Sequence, residues 1–377
     1  MLSNRLYFKI IIKLINLIID IQKGNLRILV TGGAGFIGGC LVRRLLKTSN
    51  ASVFNLDKIS YASDLSGINK SPNIQRHTLL EVDLKDYEKT SKAVKEADPD
   101  IIFHLAAESH VDRSIENAEP FLQSNIVGTF NILESARKHW ENMELSRKKG
   151  FRFLHISTDE VFGSLDREGK FSEKSAYDPR SPYSATKACS DHLCNAWLHT
   201  FNLPIIRTNC SNNYGPYQFP EKLIPIIIIK ALNQSSIPIY GDGTYVRDWL
   251  FVEDHIDALI LVISKGKIGA SYCIGGNNEK TNLDITKYIC EFLDKRVPIN
   301  KPYTDLIKFV KDRPGHDKRY AIDSRLIQKE LGWQAKNSFA EGLKKTIEWY
   351  LKNKSWYENI QNKSGYKGER IGLRNNS

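Results

Sequence analysis

The feature that most constrains this chain is a glycine-rich turn between an apolar strand and an amphipathic helix. Leu26 to Thr31 form a short apolar run that predicts a buried strand, and the helical pattern CLVRRLLKTS follows the glycines. In this context Gly32 permits a tight turn, Gly35 lets the backbone approach a pyrophosphate, and Gly38 lets the helix pack closely on the strand. The helix N-terminus offers N–H groups to phosphates. The segment therefore predicts a dinucleotide-binding site.

An acidic residue at the end of the second predicted strand indicates which dinucleotide binds. The run SVFNLD ends at Asp57, about 20 residues past the glycines, where a carboxylate accepts hydrogen bonds from the adenosine ribose. The same charge repels a 2′-phosphate, so we expect NAD rather than NADP. Lys58 follows directly and weakens that preference.

Apolar runs and helical patterns alternate through the first 208 residues. Further strands are predicted in NIQRHTLLEVD, PDIIFHLAA, FRFLHIST and LPIIRTN, and helices over about 86–97, 117–139 and 183–201. This alternation predicts an α/β fold with a doubly wound, parallel Rossmann-type sheet. Ligands of such sheets bind at the carboxyl ends of the strands, where LAAESH, STDE and RTNCSNN stand.

Proline and glycine become frequent after about residue 208, which predicts a smaller C-terminal substrate-binding lobe. We expect an NAD-binding domain over 26–208, with 244–263 returning to it, and a substrate-binding lobe over 209–352. Residues 353–377 are rich in Asn, Lys, Ser and Gly and predict a mobile tail. The extension 1–25 is apolar, but Lys13 and Asp20 interrupt it, so it is a poor membrane span. We expect no membrane association.

The net charge of +11 fits an anionic partner such as a nucleotide diphosphate. Nucleic acid is not expected, because the basic residues are scattered and no nucleic-acid-binding motif occurs. Six cysteines without a CxxC pair predict reduced thiols in a cytoplasmic protein. Nine histidines without metal-ligand spacing predict no metal site.

Tyr183 and Lys187 lie four residues apart in PYSATKA, which places them on one face of a helix. A tyrosine has a pKa of about 10, but the lysine cation and a positive nicotinamide ring would favour the phenolate. Tyr183 then becomes a base that takes a hydroxyl proton while hydride leaves the same carbon. The pattern alone also fits a surface helix, and its position after the dinucleotide-binding half favours catalysis.

Thr158, Asp159 and Glu160 form a second candidate group at a predicted strand end. Two adjacent carboxyl groups at the site of reaction divide the roles of acid and base. Asp159, if protonated, donates to a leaving hydroxyl, and Glu160 removes a carbon-bound proton. Elsewhere in a chain the same triplet would be typical of a solvated turn.

These segments resemble the dTDP-glucose 4,6-dehydratase family of extended short-chain dehydrogenases. The resemblance runs from about Leu26 to about Tyr350. It depends on the motifs TGGAGFIG, LDKISYAS, LAAESHVDRSI, STDEVFG, PYSATKA, RTNCSNNYGPYQFPEKLIP, IPIYGDGTYVRDWLFVEDH and DRPGHDKRYAID.

The resemblance implies roles for individual residues. It assigns cofactor contacts to Gly32, Gly35, Phe36, Ile37, Gly38, Asp57, Lys58, Ile59, Ser60, Asp83, Leu84, Leu105, Ala106, Ala107, Ser109, Ser124, Tyr183, Lys187 and Asn213. Ser124 replaces the family's usual threonine and keeps its hydroxyl. Substrate contacts fall to Ser109, Thr158, Asn212, Lys222, Leu223, Pro238, Ile239, Tyr240, Arg247, Asn282, Asp312, Arg313, Pro314, Gly315 and His316.

The reaction that the resemblance implies is NAD-dependent removal of water from dTDP-glucose, which makes the protein a hydro-lyase (EC 4.2.1.46). The family also implies a homodimer through the helices near 117–139 and 183–201. Another NAD-dependent nucleotide-sugar 4,6-dehydratase or a 4-epimerase would share the cofactor half and the Tyr–Lys pair. An epimerase does not need the Asp159–Glu160 pair. A non-catalytic NAD-sensing regulator would have no need of either pair.

Overall fold

The protein is described by a computed structural model that covers residues 25–366 and residue 368. Its strands are β1 Arg27–Thr31, β2 Ser52–Asp57, β3 His77–Glu81, β4 Ile101–His104, β5 Arg152–Thr158, β6 Ile205–Cys210, β7 Asn212–Tyr214, β8 Ile237–Tyr240, β9 Val246–Phe251, β10 Ser271–Ile274, β11 Glu279–Thr281 and β12 Ile307–Val310. Seven of them form a parallel sheet in the order β10-β6-β5-β4-β1-β2-β3. The predicted α/β fold with a parallel Rossmann-type sheet is confirmed.

The helices alternate with the strands in the first half of the chain. They span Phe36–Thr48, Ser66–Asn69, Tyr87–Ala97, Val111–Glu116, Glu119–Phe121, Gly128–Glu141, Leu145–Lys148, Pro182–Phe201, Leu223–Leu232, Val252–Lys265, Asn282–Arg296, Arg325–Leu331, Phe339–Lys352 and Lys354–Ser364. A π-helical segment covers Leu122–Val127, and 3₁₀ turns cover Ile74–Arg76, Asp159–Phe162 and Tyr303–Leu306.

The central sheet is covered on both faces because successive strand side chains point in opposite directions. Ile28 and Val30 of β1 pack in one core with helices Phe36–Thr48 and Val252–Lys265. Leu29 packs in the other, with helices Tyr87–Ala97 and Gly128–Glu141. This two-sided burial explains why the central strands read as nearly continuous apolar runs.

The second lobe has a core of its own. Helices Leu223–Leu232, Asn282–Arg296 and Phe339–Lys352 supply most of its buried side chains. They pack with a three-stranded sheet of order β11-β9-β7 and with the pair β12-β8. The chain enters this lobe directly from the catalytic half, since β6 ends at Cys210 and β7 begins at Asn212.

The C-terminal half contributes more to the domain of the central sheet than the predicted return of residues 244–263, of which helix Val252–Lys265 packs on that sheet. Strand β10 pairs with β6 at the edge of the seven-stranded sheet. Ile327 of helix Arg325–Leu331 and Trp333 are buried in the same core as helix Val252–Lys265. The division at residue 209 stays a prediction, and these contacts show that segments after residue 263 also pack with the central sheet. β10 has only four residues, too few to show a periodicity that distinguishes it from a strand of the small lobe.

The prediction of a mobile tail over 353–377 is wrong for residues 354–364, which form a helix. Tyr357 and Ile360 are buried, and the Trp356 indole N–H donates to Asp64 Oδ2 at 2.8 Å. The composition of this segment is polar, but these three residues provide the apolar stripe that anchors it. Residue 367, residues 369–377 and the predicted extension up to residue 24 lie outside the described residues.

Candidate active site

A cleft along the carboxyl ends of the central strands brings most of the candidate residues together. The predicted residues that line it are Gly32, Gly35, Phe36, Ile37, Gly38, Asp57, Lys58, Ser60, Asp83, Leu84, Leu105, Ala106, Ala107, Ser109, Ser124, Thr158, Asp159, Glu160, Tyr183, Lys187, Asn212, Asn213 and Lys222. Twelve other predicted residues do not line it: Ile59, Leu223, Pro238, Ile239, Tyr240, Arg247, Asn282, Asp312, Arg313, Pro314, Gly315 and His316. Ile59 donates its main-chain N–H to Asp57 Oδ1, and Leu223 packs against the core of the second lobe.

The glycine turn fits a pyrophosphate. Gly32 has a φ of +71°, and a Cβ atom there would lie 2.7 Å from the main chain of Ala106. A Cβ on Gly38 would lie 2.2 Å from the Gly32 carbonyl oxygen, whereas one on Gly35 would meet only that oxygen, at 3.2 Å. The first turn of helix Phe36–Thr48 has neither a capping side chain nor an acidic residue. Its N–H groups are therefore available to an anion.

Asp57 is held rigidly at the end of β2. Its Oδ2 accepts from the Ala34 N–H at 3.0 Å, and its Oδ1 accepts from Ile59 N–H and the Ser63 hydroxyl. Burial raises the pKa of Asp57, while these hydrogen bonds oppose that rise. Lys58 forms an ion pair with Glu108 at 2.6 Å. That pairing reduces the attraction of Lys58 for a 2′-phosphate, so the carboxylate of Asp57 dominates the ribose end.

Tyr183 and Lys187 lie in the first two turns of helix Pro182–Phe201, which begins with a capping box at Ser181 and Ser184. Burial, and then the charge of Glu160, raise the pKa of Tyr183 well above its usual value, against a hydrogen bond with Thr158. Burial lowers the pKa of Lys187, whose Nζ donates to the Ile156 carbonyl at 2.9 Å. The predicted lowering of the Tyr183 pKa by Lys187 is therefore not found among the described residues, where the group that opposes the rise is Thr158.

The two acids after β5 differ in their surroundings. Burial raises the pKa of Asp159 well above its usual value, and the charges of Glu160 and Asp248 add to the rise. Oδ2 of Asp159 is buried without a hydrogen-bond partner among the described residues. Burial also raises the pKa of Glu160, but Arg313 and Arg247 oppose that rise. Neighbouring carboxylates thus add to the rise in the pKa of Asp159, whereas two arginines are the leading charges that oppose the rise in the pKa of Glu160.

The basic residues of the second lobe face these acids. Arg247 is buried, donates to the Asp317 carbonyl at 2.8 Å and packs over the Tyr320 ring. Arg313 donates to Asp112 Oδ1 at 2.5 Å. Both arginines influence the pKa of Glu160, so the two lobes converge at this point of the cleft. A guanidinium pair suits the diphosphate of a nucleotide sugar.

The other predicted substrate residues surround these arginines from several elements. His316 stacks on Tyr245 and lies 2.7 Å from Asp312. Asn282 begins helix Asn282–Arg296, and its Oδ1 is buried without a hydrogen-bond partner among the described residues. Strand β8 carries Pro238, Ile239 and Tyr240, and Pro314 and Gly315 precede His316. Ile239 is buried in the core of the second lobe, so only its main chain is available to a ligand.

Two charged residues of the cleft region are missing from the sequence prediction. Asp112 accepts hydrogen bonds from Arg313 and from the Tyr240 hydroxyl, and thereby links the two lobes. Glu221 accepts from Arg113 at 3.0 Å and from Tyr61 at 3.1 Å. Both stand inside the long motifs, in HVDRSI and FPEK, but their partners lie more than 100 residues away. Chain spacing alone gives no signal for such pairs.

Within the described ranges, no helix has the length and apolar character needed to cross a membrane. The same part of the chain holds no cluster of His, Cys, Asp or Glu suited to a metal ion.

A parallel Rossmann-type sheet, a glycine turn and a buried Tyr–Lys pair at the strand ends define the extended short-chain dehydrogenase class. The chain belongs to the family described as GDP-mannose 4,6 dehydratase, whose model matches residues 29–346.

Relatives and solved structures of this class are similar to the chain in sequence and in fold. The dTDP-glucose 4,6-dehydratase of Neisseria meningitidis is 51% identical over 352 residues, covering 92% of this chain and 99% of the relative. That of Escherichia coli is 49% identical over 345 residues, covering 89% and 96%. A crystal structure of the dTDP-glucose 4,6-dehydratase from Streptomyces venezuelae with NAD bound superposes with a TM-score of 0.81 at 39% identity, covering 89% of this chain and all of that one.

Proposed function

We propose that this chain is a dTDP-glucose 4,6-dehydratase, which removes water from dTDP-glucose and produces dTDP-4-keto-6-deoxyglucose for deoxysugar biosynthesis. The observation that carries the proposal is the Asp159–Glu160 pair, which lines the same cleft as Tyr183 and Lys187. An oxidation pair beside an acid–base pair suits a reaction that oxidises, eliminates and reduces in one site. The relatives at about half identity carry the same name.

NAD is the cofactor that the cleft suits. Gly32, Gly35 and Gly38 would hold its pyrophosphate, and Asp57 its adenosine ribose. Asp83, Leu84 and Leu105 to Ala107 line the same part of the cleft. When bound, NAD takes a hydride from the sugar and returns it later in the cycle, so the net reaction is a lyase reaction.

The side chains of the cleft supply the proton transfers. Tyr183 takes the proton of the C4 hydroxyl as hydrogen leaves C4 with its electron pair. The ketone formed at C4 acidifies the C5 hydrogen, and Glu160 removes that proton. Asp159 protonates the C6 hydroxyl, which leaves as water. Hydride then returns to C6 and a proton to C5, which completes the 4-keto-6-deoxy sugar.

Purified protein given dTDP-glucose without added cofactor should form the 4-keto-6-deoxy product. A cofactor that is restored in every cycle need not dissociate, so bound NAD should suffice. Mass spectrometry would follow the loss of water, with UDP-glucose and GDP-mannose as comparison substrates, and the supernatant of denatured protein would be analysed for NAD. Turnover of another nucleotide sugar alone would contradict the proposed substrate. Recovery of NADP alone would contradict the role of Asp57.

The epimerase alternative is weaker, because inversion at C4 needs no acid–base pair beyond the tyrosine. The regulator alternative is weaker still. Asp159, Glu160, Tyr183 and Lys187 all line one cleft, and a protein that only senses NAD would need none of these groups at the strand ends.

The homodimer is proposed from an apolar surface on two neighbouring helices. Phe130 and Phe201 are exposed by 42% and 37%, and Leu122 by 46%. Trp197 bridges the two phenylalanines, with ring centroids 5.7 and 5.5 Å away. Exposed aromatic clusters of this kind suit a two-fold contact with a second copy.

Phe130→Glu should shift the protein from dimer to monomer in sedimentation velocity, because it places a charge in the centre of this surface. Phe309→Glu is the matched control, since Phe309 is exposed by 58% on β12 of the second lobe. A dimer that survives Phe130→Glu, or dissociates equally with Phe309→Glu, would contradict the proposed surface.

We also propose a cytoplasmic location. All six cysteines are unpaired thiols, five of them buried. Free thiols are typical of proteins in reducing compartments.

A further inference from the structure

One buried carboxylate lies behind the catalytic residues. Asp191 is on helix Pro182–Phe201, one turn beyond Lys187, and is fully buried. Its Oδ2 accepts hydrogen bonds from the Ser157 hydroxyl at 2.9 Å and from the Tyr177 hydroxyl at 2.7 Å. Its Oδ1 lies 3.0 Å from His155 Nε2. The cleft residues do not include Asp191, so it does not touch a ligand.

These contacts fasten the tyrosine helix to the strand that carries the acids. His155 and Ser157 are alternate residues of β5 and face the same side. Between them, the Ile156 carbonyl accepts from Lys187 Nζ at 2.9 Å. β5 ends at Thr158, and Asp159 and Glu160 follow immediately. The carboxylate therefore bridges two elements, each of which bears half of the reacting groups.

The carboxylate also raises the pKa of Lys187, against the effect of burial. Burial alone would raise the pKa of Asp191, but His155, Lys187 and Tyr177 together hold it below its usual value. Burial lowers the pKa of His155 to about 4, so that ring is neutral at pH 7. Among the charges that oppose the effect of burial on Lys187, Asp191 raises its pKa the most.

We propose that Asp191 is a positioning residue for both halves of the reaction. It holds Tyr183 and Lys187 in register with Thr158, Asp159 and Glu160. This inference rests on the proposed dehydratase function. A single side chain then sets the geometry of oxidation and elimination together.

The test is Asp191→Asn, which keeps the size of the side chain and removes its charge. The rates of C4 oxidation, followed by reduction of bound cofactor in a single turnover, and of C5 exchange with deuterated solvent should both fall about 10²-fold, the effect of a misplacement of about 1 Å. The alkaline limb of the pH profile of the oxidation rate should move to lower pH, because the carboxylate no longer raises the pKa of Lys187. The other titratable groups around the pair, His155, His104, Tyr177, Arg207, Cys194 and Cys210, are unchanged in this variant.

Tyr177→Phe is the matched variant. It removes one hydrogen bond to Oδ2 but keeps the carboxylate, so both rates should fall by less and the alkaline limb should stay in place. A contrary result would be that Asp191→Asn lowers the unfolding temperature and yet leaves both rates and the alkaline limb of the pH profile unchanged. In that case Asp191 only stabilises the fold, and the proposal is overturned. Loss of one half-reaction alone would overturn it as well.

If Asp191→Asn does not fold, the double variant Ser157→Ala, Tyr177→Phe replaces it. Both rates should then fall together, while the alkaline limb of the pH profile stays at the same pH. Wild-type rates in this double variant would overturn the proposal. Wild-type protein measured in parallel separates the two hypotheses. No product from wild type contradicts the dehydratase function, whereas normal wild-type turnover with unaffected variants contradicts only the role of Asp191.

Discussion

Tyr183→Phe should stop the reaction before hydrogen leaves C4. The variant keeps the buried ring but has no hydroxyl to take the proton of the sugar, and loss of a positioned acid–base group costs about 10²–10⁴-fold in rate. The effect should be near the upper end, because no other group of the cleft is proposed to take this proton. Single-turnover absorbance of reduced cofactor after addition of dTDP-glucose measures the step directly.

A control for simple hydroxyl deletion is Tyr303→Phe. Tyr303 is equally buried, but its hydroxyl donates to the Val297 carbonyl at 2.9 Å in the second lobe. The Tyr303→Phe variant should oxidise the sugar at the wild-type rate. Reduction of bound cofactor at a normal rate in Tyr183→Phe would contradict the assignment of Tyr183 as base.

The environment of Tyr183 by itself disfavours the phenolate. Burial and Glu160 both disfavour the phenolate, and Lys187 is directed to the Ile156 carbonyl. The positive nicotinamide ring is the charge that remains to favour the phenolate.

The dinucleotide-binding half of the fold could be predicted from the sequence because the motifs that indicate it are short and local. Strand, glycine turn and helix follow one another over about 20 residues, and Asp57 ends the next strand. A parallel sheet then requires the carboxyl ends of the strands to meet at one edge. The grouping of Asp57, Thr158 and Tyr183 in one cleft follows from that rule.

The contacts between the lobes could not be predicted in the same way. Arg313 pairs with Asp112 over 201 residues, and Asp191 reaches back to His155 and Ser157 on β5. Such pairs have no spacing that identifies them, because the fold and not the local chain brings them together. The short strand β10 escaped prediction for a related reason, since its partner β6 lies about 60 residues earlier in the chain.

Glu160→Gln should separate the two halves of the reaction. The amide is nearly the same size as the carboxylate but cannot accept the C5 proton. Oxidation at C4 should persist, because Tyr183 and Lys187 are unchanged, while elimination stalls. The expected result is accumulation of reduced cofactor together with a 4-keto-glucose nucleotide. C5 exchange with deuterated solvent should fall by about 10²–10⁴-fold.

The charges around Glu160 make this the most informative substitution in the cleft. Arg313 and Arg247 oppose the rise in the pKa of Glu160, while Glu160 and Asp248 add to the rise in the pKa of Asp159. Removing the Glu160 charge should therefore lower the pKa of Asp159 and weaken the acid as well as abolish the base. Glu173→Gln is the control, since Glu173 is also partly buried with a raised pKa but accepts from the Cys273 N–H outside the cleft. Normal product formation with normal C5 exchange in Glu160→Gln would contradict its role as base and would restore the epimerase alternative.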